Sequence, residues 1–261
     1  MMVRFFVQIE YDGTNYHGFQ KQPKTKKTIQ YEVEQALSKV ANHKVVTICS
    51  GRTDAGVHAL NQFIHFDTKS KRKVNSWIKG VNSYLPADIS VKNFYKVNSN
   101  MHARFSAISR SYLYVIKNSD TPPALGSNNC LWIRKQLNVE KMHQAAQHLL
   151  GEKDFSAFRA SGCQSNTPVR EIFEAKVSKR GDLIFFYIKG NAFMLNMVRI
   201  ITGTLIDVGI SKINISQFKD IIKMKKRTSA GKTISANGLY FLGPEYNELD
   251  YSKEALLNEL D

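Results

Sequence analysis

Twice along the chain the apolar residues change period in the same order, and few folds accept that pattern. Val3, Phe5, Val7 and Ile9 alternate with Arg4, Gln8 and Glu10, the period of a strand. Ile29, Val33, Ala36, Leu37 and Val40 then recur at helical spacing, with Thr28 placed to cap the helix. Val45 to Cys49 is β-branched and reads as a second strand, and Gln62 to Asp67 reads as a third. A helix through Val74, Trp77, Ile78 and Val81 follows and should stop before Pro86, and Ile89 to Val97 reads as a strand. The order β-α-β-β-α-β is the ferredoxin-like one.

The second half nearly repeats it. Ser111 to Lys117 is a strand with Tyr112, Tyr114 and Ile116 on one face. Met142, Ala145, Ala146 and Leu149 mark a helix capped by Asn138. Glu171 to Ser178 and Leu183 to Lys189 are strands joined by a turn at Lys179 to Asp182. A long helix runs from Met194 to Val208 and is ended by Gly209, a shorter one carries Phe218, Ile221 and Ile222, and Leu239 to Leu242 is a last strand. The expected fold class is therefore α+β, two ferredoxin-like halves, 1–106 and 107–261, meeting near Asn100 to Ser111. No low-complexity linker separates them, so close packing is expected, through a continuous sheet with a cleft on its face.

Charge narrows the function. Lys and Arg outnumber Asp and Glu by 37 to 22, which favours a polyanionic partner. The excess is clustered at Lys21, Lys24, Lys26 and Lys27, at Lys69, Lys71, Arg72 and Lys73, and at Lys223, Lys225, Lys226 and Arg227. Such clusters in connecting segments suit phosphate contacts. The longest apolar run, Leu183 to Ile188, is too short to cross a bilayer, and polar residues interrupt the N-terminal apolar stretch at once. A cytoplasmic protein without a membrane partner is expected. Three separated cysteines, Cys49, Cys130 and Cys163, suggest neither disulfides nor a thiolate metal site, and the histidines show no zinc-hydrolase or zinc-deaminase spacing. No phosphate-binding glycine loop is present, so no nucleotide or dinucleotide cofactor is indicated. The cofactor and metal expectations are both none.

Three constellations could carry chemistry. Gly51 and Gly56 bracket Arg52, Thr53 and Asp54, and an arginine near a carboxylate keeps it ionised for use as a nucleophile or base. From local chemistry alone Asp12 and Asp88 compete equally, since aspartates beside glycines usually shape turns. Tyr112 and Tyr114 lie among Arg110 and Ser111, where tyrosines on a sheet face either stack with bases or fill a core. Arg199 sits among Met197, Val198, Ile200 and Ile201 and needs an anion if buried, or reaches solvent from the helix edge.

The chain resembles the bacterial tRNA pseudouridine synthase A family. The likeness runs in order from Tyr11-Asp12-Gly13-Thr14 and Gly18-Phe19-Gln20 to Gly51-Arg52-Thr53-Asp54-Ala55-Gly56-Val57-His58-Ala59. It continues through Leu85-Pro86-Ala87-Asp88-Ile89, His102-Ala103-Arg104-Phe105-Ser106-Ala107 and Arg110-Ser111-Tyr112-Leu113-Tyr114. Gly190-Asn191-Ala192-Phe193, Met197-Val198-Arg199 and Gly238-Leu239-Tyr240 extend it through the second half. Phe19 stands where tryptophan is usual, and Met194-Leu195-Asn196 replaces a histidine-rich stretch. The resemblance implies the pseudouridine synthase fold, two ferredoxin-like halves around a central antiparallel sheet with an active-site cleft. It implies an isomerase converting uridine to pseudouridine in the anticodon stem and loop of tRNA, on the 3′ side, and a homodimer binding tRNA across both subunits. By the same resemblance Asp54 is the nucleophile that attacks the target uridine or assists cleavage of its glycosidic bond, Tyr112 stacks on the flipped base and assists proton removal, Arg199 keeps Asp54 anionic, and Arg52 holds the space the base vacates or assists its flipping. Two rival readings remain: an RNA-binding module, which has no need of Asp54, and a glycosidase-like hydrolase, which usually needs a second carboxylate.

Overall fold

The computed structural model describes residues 2–251. They fall into two compact units. One runs to Ile108 and resumes at Tyr240, and the other is Ser109–Leu239, so no single cut in the chain separates them.

The first unit contains β1 (Val3–Tyr11), α1 (Ile29–Ala41), β2 (Ile48–Cys49), β3 (His58–Thr68), α2 (Val74–Asn82), β4 (Ile89–Val97) and most of β10 (Leu239–Tyr246). β1 pairs antiparallel with both β3 and β4, and β2 pairs with β3, giving the ferredoxin-like order β4-β1-β3-β2. β10 pairs with β3 in parallel at Tyr240–His58 and Phe241–Ala59, so the sheet is not wholly antiparallel.

Both faces of this sheet are covered. On one, Phe5, Phe66 and Phe94 pack around Trp77 of α2. On the other, Phe6 and Phe63 pack with Met101, Ala103, Tyr246 and Tyr251. This is why β1 carries Phe5, Phe6 and Val7 in succession. Gln8 is buried with them at 4 % exposure, donating to Asn61 at 2.7 Å and accepting from Tyr95 at 2.9 Å.

The strand expected over Val45 to Cys49 shrinks to Ile48–Cys49. Glu34 of α1 explains it. This carboxylate is 3 % exposed and accepts from both the amide and the hydroxyl of Thr47, at 2.8 and 3.0 Å, and from Lys21 at 2.6 Å. Thr47 is thus bonded to a helix instead of a neighbouring strand. Thr28 occupies the expected N-cap position, but its buried hydroxyl makes no cap bond.

The second unit holds most of β5 (Ala107–Asn118), then β6 (Leu131–Ile133), α3 (Val139–Gln147), β7 (Gly151–Asp154), β8 (Val169–Arg180), β9 (Leu183–Gly190), α4 (Met197–Gly209) and α5 (Ile215–Met224). Its strands run β5-β9-β8-β7, all antiparallel, with β6 added parallel to β5. Asn138 caps α3 through the Lys141 amide, as its position predicted, and Asn214 with Gln217 forms a capping box on α5. Gly209 does not end α4 by a left-handed turn; Ser211, at φ 57°, is the left-handed residue. Gly209 lies in the last turn because a Cβ there would meet Met142 Sδ of α3 at 2.8 Å. It is a packing glycine. β6 and β7 were not legible, since Gly151-Glu152-Lys153-Asp154 has no apolar alternation.

His65 on β3 leads to a pH prediction. Its Nδ1 accepts from the Ala103 amide at 3.1 Å. Burial, then the charges of Arg4 and His102, hold the imidazole down to about 4, against a smaller opposing pull from Asp67. An unfolded chain takes that proton near 6.5. Stability from this group is therefore complete above about pH 6.5 and is lost as pH falls toward 4. Melting temperatures at pH 7 and pH 5 should drop further for the wild type than for His65→Gln. Equal drops would assign the acid sensitivity to other groups.

Candidate active site

The loop between β2 and β3 carries Arg52, Thr53 and Asp54. Val57 donates to the Asp54 carbonyl at 3.1 Å, closing a four-residue turn, with Gly56 at φ 77° in its third position. That is the type II geometry, which requires positive φ there and so favours glycine. Thr53 is buried, and its hydroxyl shares a 2.7 Å hydrogen bond with Tyr11 of β1. Phe19 donates to the Thr53 carbonyl at 3.0 Å. Asp54, half-buried, thus follows a residue fixed from both sides, and Arg52 is exposed. Burial pushes the neighbouring Cys49 thiol up to about 11, while Arg52 and Arg104 pull it down.

Residues 13–19 lie directly against this loop. A Cβ on Gly13 would overlap the Val57 carbonyl, and one on Gly18 would sit 2.8 Å from the Thr53 carbonyl oxygen. Gly18 also has φ 89°. The closeness of these glycines to a segment some forty positions on gives no local signal in the sequence.

The two competing aspartates have other work. Asp12 accepts from the Thr14 amide and hydroxyl, at 2.9 and 2.5 Å, shaping its own turn. His58 Nδ1 lies 3.1 Å from the Asp12 carboxylate and 3.2 Å from the Gly13 amide, so the tautomer decides which bond forms. Asp88 accepts from the Tyr16 hydroxyl at 2.5 Å. Burial and then that bond push the Tyr16 phenol well above its usual range.

The second unit holds Tyr112 and Arg199. Tyr112, on β5 opposite Ile188 of β9, is 9 % exposed and packs edge-on against Phe193 at 5.1 Å. Arg110 donates to the Asn191 carbonyl at 3.0 Å, fixing the turn that presents Phe193. Arg199, in the first turn of α4, donates to the Ile234 carbonyl and to the Asn196 side chain, each at 2.7 Å. Both acceptors are neutral. A Cβ on Gly203 would overlap the Lys232 carbonyl, so the segment Arg199 grips runs hard against α4.

The basic clusters are unequal. Lys24, Lys26, Lys27, Lys69, Lys71, Arg72, Lys73 and Lys226 are exposed. Lys21 is bound to Glu34, Lys225 to Asp154 at 3.1 Å, and Lys223 lies 3.7 Å from Asp220. Arg227 donates to the Gly231 carbonyl and the Thr233 hydroxyl, a structural use that sequence alone did not reveal. Among the described residues no helix is long and apolar enough to cross a membrane.

A family model described as tRNA pseudouridine synthase matches residues 7–106 and 145–247. Curated relatives called tRNA pseudouridine synthase A cover 98 % of this chain and are covered over 98 % of their own length. That of Francisella tularensis subsp. novicida (strain U112) is 43 % identical over 255 residues. That of Francisella philomiragia subsp. philomiragia is 42 % identical over 255 residues. Among solved structures, one described as a Cbf5-Nop10-Gar1 complex aligns with 91 % of this chain and 48 % of its own, at TM-score 0.37 and 10 % identity.

Proposed function

The chain belongs to the tRNA pseudouridine synthase family, and from that premise we propose which uridines it isomerises and which residues do so. It is an isomerase acting on uridine in tRNA. The proposed target lies in the anticodon stem and loop, on the 3′ side, reached by flipping the nucleotide out of its stack. The enzyme is proposed to be a cytoplasmic homodimer that binds tRNA across both subunits.

Asp54 is the proposed nucleophile, attacking the target nucleotide or assisting cleavage of its glycosidic bond. The bond from the sugar C1′ to uracil N1 breaks and one from C1′ to C5 forms. The hydrogen on C5 leaves as a proton, and N1 ends protonated. Reactant and product are isomers, so electrons balance without an oxidant or reductant. The observation that carries the assignment is the locked turn at Thr53 to Val57, which fixes the backbone that presents Asp54 between a buried, hydrogen-bonded Thr53 and the Val57 amide. Arg199 is proposed to keep Asp54 ionised; its acceptors are uncharged, which leaves its positive charge uncancelled by them. Arg52, exposed on the loop, is proposed to fill the space left by the flipped base.

Release of tritium from C5-labelled uridine in tRNA tests the reaction directly, because C5 loses its hydrogen only when the new carbon bond forms. Tyr112 is proposed to stack on the flipped base and to help remove that proton. Tyr112→Phe keeps the ring and should lower turnover with binding unchanged. Tyr112→Ala should also weaken binding, and because it leaves a gap against Phe193 its melting temperature is read alongside. A Phe variant as fast as wild type would remove the hydroxyl from the mechanism.

A further inference from the structure

Phe105 is 75 % exposed, and the fold goes to some length to present it. It ends a tight turn in which Ser106 donates its amide to the His102 carbonyl and the Ser106 hydroxyl accepts from the His102 amide, both at 2.9 Å. His102 Nδ1 accepts from the amides of Arg104 and Phe105, at 3.1 and 3.2 Å. His65 Nδ1 accepts from the amide of Ala103, and the Ala103 carbonyl accepts from Tyr246 at 2.7 Å. Three successive backbone amides are therefore donated to imidazole lone pairs. That arrangement requires both rings to be neutral.

The His102 ring lies stacked on Phe105, with centroids 4.4 Å apart and planes at 28°. Arg104 places its guanidinium carbon 5.5 Å from the Phe105 centroid. Arg4, bidentate to Asp67, bonds the carbonyls of Ser99 and Met101 and anchors the chain entering the turn. An aromatic ring left in water would ordinarily be mobile. This one is carried on a backbone turn closed by four hydrogen bonds and is backed by a stacked imidazole.

The turn also lies beside the Asp54 loop. His65, which holds Ala103, is opposite Ile48 of β2, the strand that leads into that loop. Arg104 and Arg52 both act on the thiol of Cys49, the residue next to Ile48.

We propose that Phe105, backed by His102 and flanked by Arg104, is a stacking platform for one unpaired base of the tRNA, next to the base being isomerised. The proposal rests on the reading of this chain as a tRNA pseudouridine synthase. Every base offers a π-face, and a guanidinium beside the ring suits the phosphate that arrives with it. A second copy of the chain is the less suitable occupant. A two-fold contact centred on Phe105 would bring Arg104 against its own symmetry mate, a like-charge pair at the centre of the interface.

The test uses wild type, Phe105→Leu, Phe105→Ala and Phe105→Trp, with tRNA carrying 2-aminopurine at each unpaired position in turn. For wild type and Phe105→Trp, fluorescence at one position should fall on binding. Phe105→Leu and Phe105→Ala should abolish that quenching, weaken binding by about 5- to 150-fold, and raise KM more than they lower kcat. All four should melt alike, because the ring is exposed. Leu binding and quenching like wild type would overturn the platform, as would a Leu variant whose only change is a lower oligomeric mass. Binding and quenching are read without turnover, and wild-type tritium release is measured separately. Failure of the platform is thus distinct from failure of the isomerase reading.

Discussion

Asp54→Asn should lower pseudouridine formation on the order of 10⁴-fold or more, as when a covalent or general-base group is lost. Asn is nearly isosteric, and the turn is closed by backbone groups, the Val57 amide and the Asp54 carbonyl, which the substitution leaves in place. The variant should therefore fold. Its affinity for tRNA should be preserved or slightly increased, because one negative charge facing phosphate is gone. Asp12→Asn is the control. Asp12 accepts two bonds from Thr14, and an amide oxygen can still accept them, so turnover should change little by comparison. Tritium release at the wild-type rate from folded Asp54→Asn would remove Asp54 from the chemistry. If wild type and variant both bound tRNA and neither released tritium, the RNA-binding-module reading would replace the enzymatic one.

Gly13→Ala should lower turnover by about 10²-fold, though residue 13 carries no side chain to do chemistry. Its Cβ would overlap the Val57 carbonyl, which is backbone and cannot swing aside. Either residues 12–18 or the Asp54 turn must move. Overpacking of this kind costs about 1–3 kcal/mol, and an active-site displacement of about 1 Å can cost about 10²-fold in rate. Gly18→Ala should behave alike, with the strain of φ 89° added. Gly126→Ala separates strain from crowding: φ is 71°, but nothing lies within 4 Å of its Cβ. It should cost stability without touching turnover. Melting temperature and tritium release on the three variants decide the matter. A Gly13→Ala protein that melts and turns over like wild type would mean the contact with Val57 does not hold the loop.

What the sequence announced, and what it hid, divides along the range of the interaction involved. α2, α3 and β4 were legible because their signals are local: apolar spacing, the Asn138 cap, Pro86 beyond a helix end. Gly209 misled because a glycine after a helical run has two uses, a left-handed end or a close approach, and only Met142 on α3 selects the second. Thr47 looked like part of a strand because nothing near it shows that Glu34, thirteen residues earlier, accepts its amide. Asp54 became a candidate above Asp12 and Asp88 through its motif; local chemistry ranked them equally. The fold adds what Asp12 and Asp88 do: Asp12 shapes its own turn through Thr14, and Asp88 accepts from the distant Tyr16 hydroxyl. Phe105 carries no signal of its exposure, since an exposed aromatic and a core aromatic look identical in a sequence.

The parallel pairing of β10 with β3 sets an order of events during synthesis. Phe6 and Phe63 are among the first sixty-odd residues to leave the ribosome, yet the face they form is closed by Tyr246 and Tyr251. At elongation rates of about 5–20 residues per second, that face waits on the order of ten seconds or more for its cover. Through that interval a greasy strip on the nascent first unit is exposed to whatever is nearby, and Gln8 and Asn61, bonded to one another on that unit, are the polar pair within it. The last strand is therefore also the latch of the first domain. A ribosome that stalls before residue 240 releases a chain whose N-terminal sheet lacks its lid, a ready substrate for chaperones and proteases.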